Sequence, residues 1–159
     1  MLKAELTNPQ NYIFGSTAAI ITNICLIVGL ETARSGKGPI LGGLLTIALA
    51  DNISDSLGIH MYKETEGAKS RLSVLATVLN FTARLLISFS FVAIVLLCSA
   101  GQSIPAAISW GLVLIAIGSY WIARRNKENV ILETVKHMLV AVVVIILSHW
   151  VGHLIAAHF

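Results

Sequence analysis

Five stretches of this sequence are apolar for long enough to cross a lipid bilayer, and that repetition restricts the fold more than any single motif. A hydrocarbon core about 30 Å thick takes roughly 20 residues of helix, whose backbone N–H and C=O groups are satisfied within the segment itself. The runs cover 13–30, 40–61, 72–100, 106–123 and 130–157. They are continuously apolar and lack the two-residue alternation of a membrane β-barrel. Composition agrees, since 56% of the 159 residues are hydrophobic, 12% are charged and the mean hydropathy is +0.82. The sequence thus predicts an all-α integral membrane protein, a single five-helix domain over 1–159, in the plasma membrane of a prokaryote or in an organelle membrane. The third and fifth runs exceed a simple crossing. Each begins with polar residues (Lys69, Arg71, Asn80 and Arg84; Glu133, Lys136 and His137), so their first turns are expected to project from the bilayer.

Residues 1–11 are polar and no small-residue cleavage pattern follows the first run, which is therefore expected to stay as a helix. With five spans, the N-terminus and the loops after helices two and four share a side. That side holds Lys3, Lys63, Lys69, Arg71, Arg124, Arg125, Lys127 and Lys136, whereas the other holds Arg34 and Lys37. The positive-inside bias predicts a cytoplasmic N-terminus and an extracytoplasmic C-terminus. The net charge of +3 reports these anchors against anionic lipid, and no basic surface interleaved with aromatics points to nucleic acid. Cys25 and Cys98 fall inside spans and read as small packing residues. The longest polar connection, YKETEGAKSR, is too short to fold alone, so the chemistry is expected in or between the helices.

The second run contains ALADNISDSLGIHMYKE. Asp51 falls near mid-span and Asp55 one turn nearer the cytosol, which puts both carboxylates on one helical face. Asn52 and Ser56 widen the polar stripe, and His60 follows at the cytosolic end. A centrally placed Asp costs about 2.5–3.5 kcal/mol against lipid, so the stripe must face the bundle, a partner or water. Arg84 of the third run either pairs with one of the two acids or snorkels to the headgroups. One arginine does not readily satisfy two carboxylates at separate heights. Two such acids also repel, so one is expected to hold its proton until a cation arrives, an arrangement that supports proton-for-cation exchange.

Other polar positions have plainer readings. Asn23, beside Thr22, either completes an oxygen-rich site or makes interhelical hydrogen bonds. His149 and His153 are spaced to bind zinc or copper, although histidines beside Trp150 at an interface also serve as anchors. Ala107, Gly111 and Gly118 permit close helix packing. A b-type haem between His60 and His137 is a further option. The absence of a nucleophile triad, phosphate loop or Cys-x-x-Cys pattern argues against an enzyme.

The stretch FGSTAAIITNICLIVGLETA resembles the first helix of the vacuolar iron transporter family, with Leu26 and Gly29 matching its Leu-Val-x-Gly-like segment. Ile53, Ser54 and Gly58 match the family's Leu-Ser-Met-x-x-Gly-Glu-Tyr pattern. VKHMLVAVVVIILSHWVGHLIAAHF is similar to its last helix, through Gly152 and His153. The resemblance implies a homodimeric five-helix exporter of iron(II) or manganese(II), driven by proton exchange and holding no tightly bound cofactor. This chain is a divergent case. Ala18 stands at the family's helix-one acid, Asp55 at its helix-two Met, Ile59 at its helix-two Glu and His60 at its Tyr, and YKETEGAKSR replaces the long cytosolic extension. The expected metal ligands are therefore Asp51, Asp55, Asn52 and Asn23, with His60 and Asp51 moving protons. Hard oxygen donors favour manganese, iron(II) or magnesium over copper. The competing expectation is a non-transporting membrane protein whose acids pair internally with Arg84.

Overall fold

A computed structural model of the chain describes residues 10–99 and 101–158. Lys3, the polar segment before Gln10 and the Ala100 end of the third run lie outside the described residues. The five apolar runs become five helices, α1 (Gln10–Thr32), α2 (Lys37–Thr65), α3 (Ser70–Leu97), α4 (Ser103–Asn126) and α5 (Val130–His158), each long and apolar enough to cross a membrane. No strand occurs among the described residues.

The helices extend past the apolar runs where the local chemistry permits. α2 continues to Thr65, so most of YKETEGAKSR is helical and the turn narrows to the residues around Gly67, whose φ of 73° suits a residue without a side chain. Tyr62 closes this end by donating from Oη to Glu66 Oε1 at 2.7 Å. α4 begins at Ser103 because Pro105 sits in its first turn, where a missing N–H costs nothing. At the opposite end of the bundle, Glu31 Oε1 accepts from the Gly101 amide at 2.7 Å and Lys37 Nζ donates to the Cys98 carbonyl at 2.5 Å. These two bonds tie the α1–α2 and α3–α4 connections together.

α1 is the centre, with all four other helices packed on it. α2 and α3 form one closely packed hairpin and α4 and α5 a second, while α3 and α4 meet only sparsely. Small residues set the closest approaches, as expected where helices associate by van der Waals packing within lipid. Gly43 of α2 receives Leu26, and Gly111 of α4 receives Ile24. Gly152 of α5 lies so near α1 that a Cβ there would meet the Gly29 carbonyl and the Thr32 side chain. The core runs through Ile20, Ile24, Ile27 and Val28 of α1, joined by Leu44, Phe91 and Ile115. α5 fully buries only Ala141 and Gly152, with Met138 and Ile145 partly buried against the core, and most of its remaining apolar side chains are exposed.

Candidate functional site

The buried face of α3 is polar through its first half. Ser73, Asn80, Arg84 and Ser88 recur at spacings near one or two turns, and all are essentially inaccessible. Asn80 and Arg84 are therefore not part of a projecting first turn. Arg84 is the fifteenth of the 28 residues of α3, and Asp51 the fifteenth of the 29 of α2, so the two meet at the midpoints of antiparallel neighbours.

Arg84 bonds to both aspartates. Its Nη2 lies 2.5 Å from Asp51 Oδ2 and its Nη1 2.5 Å from Asp55 Oδ2, while Nη1 also donates to the Gly15 carbonyl of α1 at 2.9 Å. The expectation that one arginine serves a single carboxylate underrates the guanidinium. Its planar fork presents donors on two separate nitrogens, and acids one helical turn apart come within its span. Snorkelling is also not the outcome, because the headgroup ends on these partners and the side chain is 2% exposed. The two carboxylates are not fully buried, with side chains 39% and 40% exposed. With both ionised, two carboxylates and one guanidinium leave one net negative charge beside an open face.

One buried asparagine on each of α1, α2 and α3 is hydrogen-bonded inside the bundle. Asn52 turns to α3 and donates to the Phe81 carbonyl at 3.0 Å. Asn80 donates to Ser56 Oγ at 3.2 Å, and Asn23 donates to the Ala19 carbonyl at 2.7 Å and to Ser88 Oγ at 3.0 Å. In all three the amide nitrogen is satisfied, while Oδ1 is buried with no hydrogen-bond partner, as is Arg84 Nε. Unspent buried acceptors are costly and uncommon, so three alongside one charged group set this region apart from ordinary packing. Among the described residues no three His, Cys, Asp or Glu side chains form a metal-holding group. A cation at the aspartates would draw its further ligands from amide or backbone oxygens.

His60 lies nine residues from Asp51 along α2, roughly 13 Å at the helical rise. It shares a 3.3 Å hydrogen bond with Thr77 Oγ1, and its Nε2 is 3.3 Å from Glu64. His137 shares a 2.9 Å bond with Ser119 Oγ. The two histidines thus turn their Nδ1 atoms to hydroxyls on α3 and α4 respectively. The rings of His149 and His153 are 6.5 Å apart at 78°, and Thr32 Oγ1 engages His149 Nδ1 at 3.1 Å. Of the glycines expected to pack closely in α4, Gly111 does so, but Gly118 faces open space because α3 and α4 diverge there.

Gly15 is the contributor that sequence reasoning missed. A Cβ at this position would collide with the Asn80 carboxamide and press on Arg84 Cδ. Gly15→Ala is expected to lower stability by about 1–3 kcal/mol, against alanine's better helix propensity, because Asn80 is held by Ser56. Thermal unfolding in detergent checks this, and an unchanged midpoint would mean that Asn80 swings clear.

Comparison with protein families, with characterised proteins and with solved structures finds no match.

Proposed function

We propose that the chain is a membrane transporter that exports a divalent transition-metal cation, iron(II) or manganese(II), from the cytosol in exchange for protons, and that Asp51 and Asp55 are its exchange site. One observation carries the reading. Two carboxylates share a single guanidinium at the midpoint of α2, which leaves a net negative charge on a partly open face. Such a charge within a membrane span is expensive unless a proton or cation neutralises it. The available donors are hard oxygens, from the carboxylates and the unspent amides of Asn23 and Asn52, and these suit manganese or iron(II). Entry of a metal ion between the carboxylates requires the guanidinium to withdraw. Arg84 and the metal therefore compete for the same oxygens, and Arg84 holds the site together between ions. His60, at the end of α2 with Thr77 and Glu64, is the exchange point for protons at the mouth. The resemblance to iron transporters in α1, α2 and α5 supports the substrate class and a homodimeric assembly.

Manganese uptake into proteoliposomes under an imposed pH gradient is the test. Asp51→Asn and Asp55→Asn are each expected to cut the rate by about tenfold or more, since each removes a charged ligand worth more than 1.4 kcal/mol. Uptake at the wild-type rate in both variants would sink the proposal.

A second reading is favoured by the burial of Arg84 and its three oxygen partners. In that reading the triad is a permanent internal ion pair of a non-transporting protein. It predicts that wild-type protein neither binds nor moves manganese.

A further inference from the structure

His149 and His153 stand one turn apart on α5, away from the aspartates, and both are exposed. Gly152 between them packs against the Gly29 carbonyl and Thr32 at the end of α1, so the backbone that carries the pair is held in place. Thr32 is the last residue of α1, and its Oγ1 meets His149 Nδ1 at 3.1 Å. The pair is therefore level with the α1–α2 connection, where the apolar run ends and water has access. When Nδ1–H donates to the threonine hydroxyl, His149 Nε2 is left with the lone pair that a metal ion takes. Such a bond from the other ring nitrogen is the usual support of a ligating histidine.

We infer that His149 and His153 form a binding site for a borderline divalent ion, zinc(II) or copper(II), at the C-terminal end of α5, with Thr32 as the group that orients His149. An ion held by both Nε2 atoms at bonds of about 2.0–2.1 Å lies about 3.2 Å from each ring centre, so a tetrahedral angle sets the centres about 5.2 Å apart. The ring centres are now 6.5 Å apart. A turn of exposed His153 about its side-chain torsions closes that gap while His149 keeps its bond to Thr32. Among the described residues no third His, Cys, Asp or Glu completes a cluster with them, so water fills the remaining positions of the ion. Imidazole nitrogens bind copper(II) and zinc in preference to manganese or iron(II), so this pair and the oxygen-lined aspartates suit different ions. The site does not depend on transport through the aspartates. An ion that fixes both rings also secures the bond from His149 to Thr32, so occupancy fastens the end of α5 to α1.

The experiment is calorimetric titration of the detergent-purified chain, free of any polyhistidine tag, with zinc chloride, and thermal unfolding confirms that each variant is folded. Zinc is expected to raise the unfolding midpoint of wild-type protein, because it binds the folded pair and not the separated helices. His149→Ala and His153→Ala are each expected to weaken zinc binding by about tenfold or more. Thr32→Val keeps the shape of the side chain and is expected to weaken it by about tenfold, the lower figure for removing the partner of a ligating histidine. Asp51→Asn is expected to leave it unchanged. With copper(II), electron paramagnetic resonance is expected to show two imidazole nitrogens in wild-type protein and one in each histidine variant. Zinc affinity that survives either histidine substitution overturns the assignment, as does a loss that follows Asp51→Asn instead. Unchanged affinity in Thr32→Val overturns it too, because the pair would then be two surface histidines without a built site.

Discussion

Arg84→Leu is expected to be the most damaging single substitution in the bundle, lowering stability by about 1–3 kcal/mol, less than for a fully buried ion pair because the two carboxylates it leaves are partly exposed. The cause is the charge that remains. Without the guanidinium, Asp51 and Asp55 stand a turn apart near mid-helix with no cation between them, and the Gly15 carbonyl loses its donor. Neutralising one aspartate has the opposite sign of effect on local charge. Asp51→Asn or Asp55→Asn leaves one carboxylate with one guanidinium, a neutral pair, and is expected to cost less than about 1 kcal/mol or to stabilise slightly. A triple variant, Arg84→Leu with both aspartates changed to Asn, is expected to recover most of the loss. Thermal unfolding in detergent, followed by tryptophan fluorescence, measures all four proteins. If Arg84→Leu proves no worse than a single Asp→Asn, the two carboxylates are not the groups that depend on it.

Gly152→Val is expected to cost about 1–3 kcal/mol, or to prevent assembly of α5 on α1, because an added side chain meets backbone and has no way around it. The Cβ would come against the Gly29 carbonyl oxygen and the Thr32 side chain, so the two helices must separate. Separation also breaks the hydrogen bond between Thr32 and His149. Gly152 is the one fully buried residue in the C-terminal half of α5 among the described residues. Gly58→Val, in contrast, adds a side chain where nothing lies within 4 Å, and is expected to leave stability within about 0.5 kcal/mol of wild type. Limited proteolysis of detergent-solubilised protein separates the two cases. Rapid release of the α5 segment is expected only for Gly152→Val.

The helices were legible because hydrocarbon thickness imposes a length, and the five apolar runs predict α1 to α5 to within a few residues at each end. The ends moved outward where Pro105 fits a first turn and where Tyr62 to Thr65 still find helical partners. The pairing of Asp51 and Asp55 on one face was equally plain, since it needs only the helical period. What the sequence does not display is which faces meet across helices. Arg84 reads as a residue near a polar helix start, and only the alignment of two helix midpoints shows it within reach of both acids. A signal was nevertheless present in α3. Ser73, Asn80, Arg84 and Ser88 share one face, and a polar stripe that deep in an apolar run has nowhere to go but the interior. Gly15 was invisible for a different reason, because its contribution is a backbone carbonyl and the absence of a side chain.

The interior of α3 changes character after Ser88, where Phe91 and Val95 are completely buried, and α2 does the same in mirror order, with Ile40, Leu44 and Ala48 preceding Asn52 and Ser56. Between α2 and α3 the interior is thus polar on one side of Arg84 and its aspartates and largely apolar on the other. Voltage across a membrane falls mostly where the medium is least polarisable, and a unit charge carried through the full drop gains about 2.3 kcal/mol per 100 mV. Between these two helices the field is therefore weaker on the His60 side of the triad than on the side of Phe91 and Val95. A charge passing Phe91 and Val95 crosses more of the field than one moving between the His60 end of α2 and the aspartates.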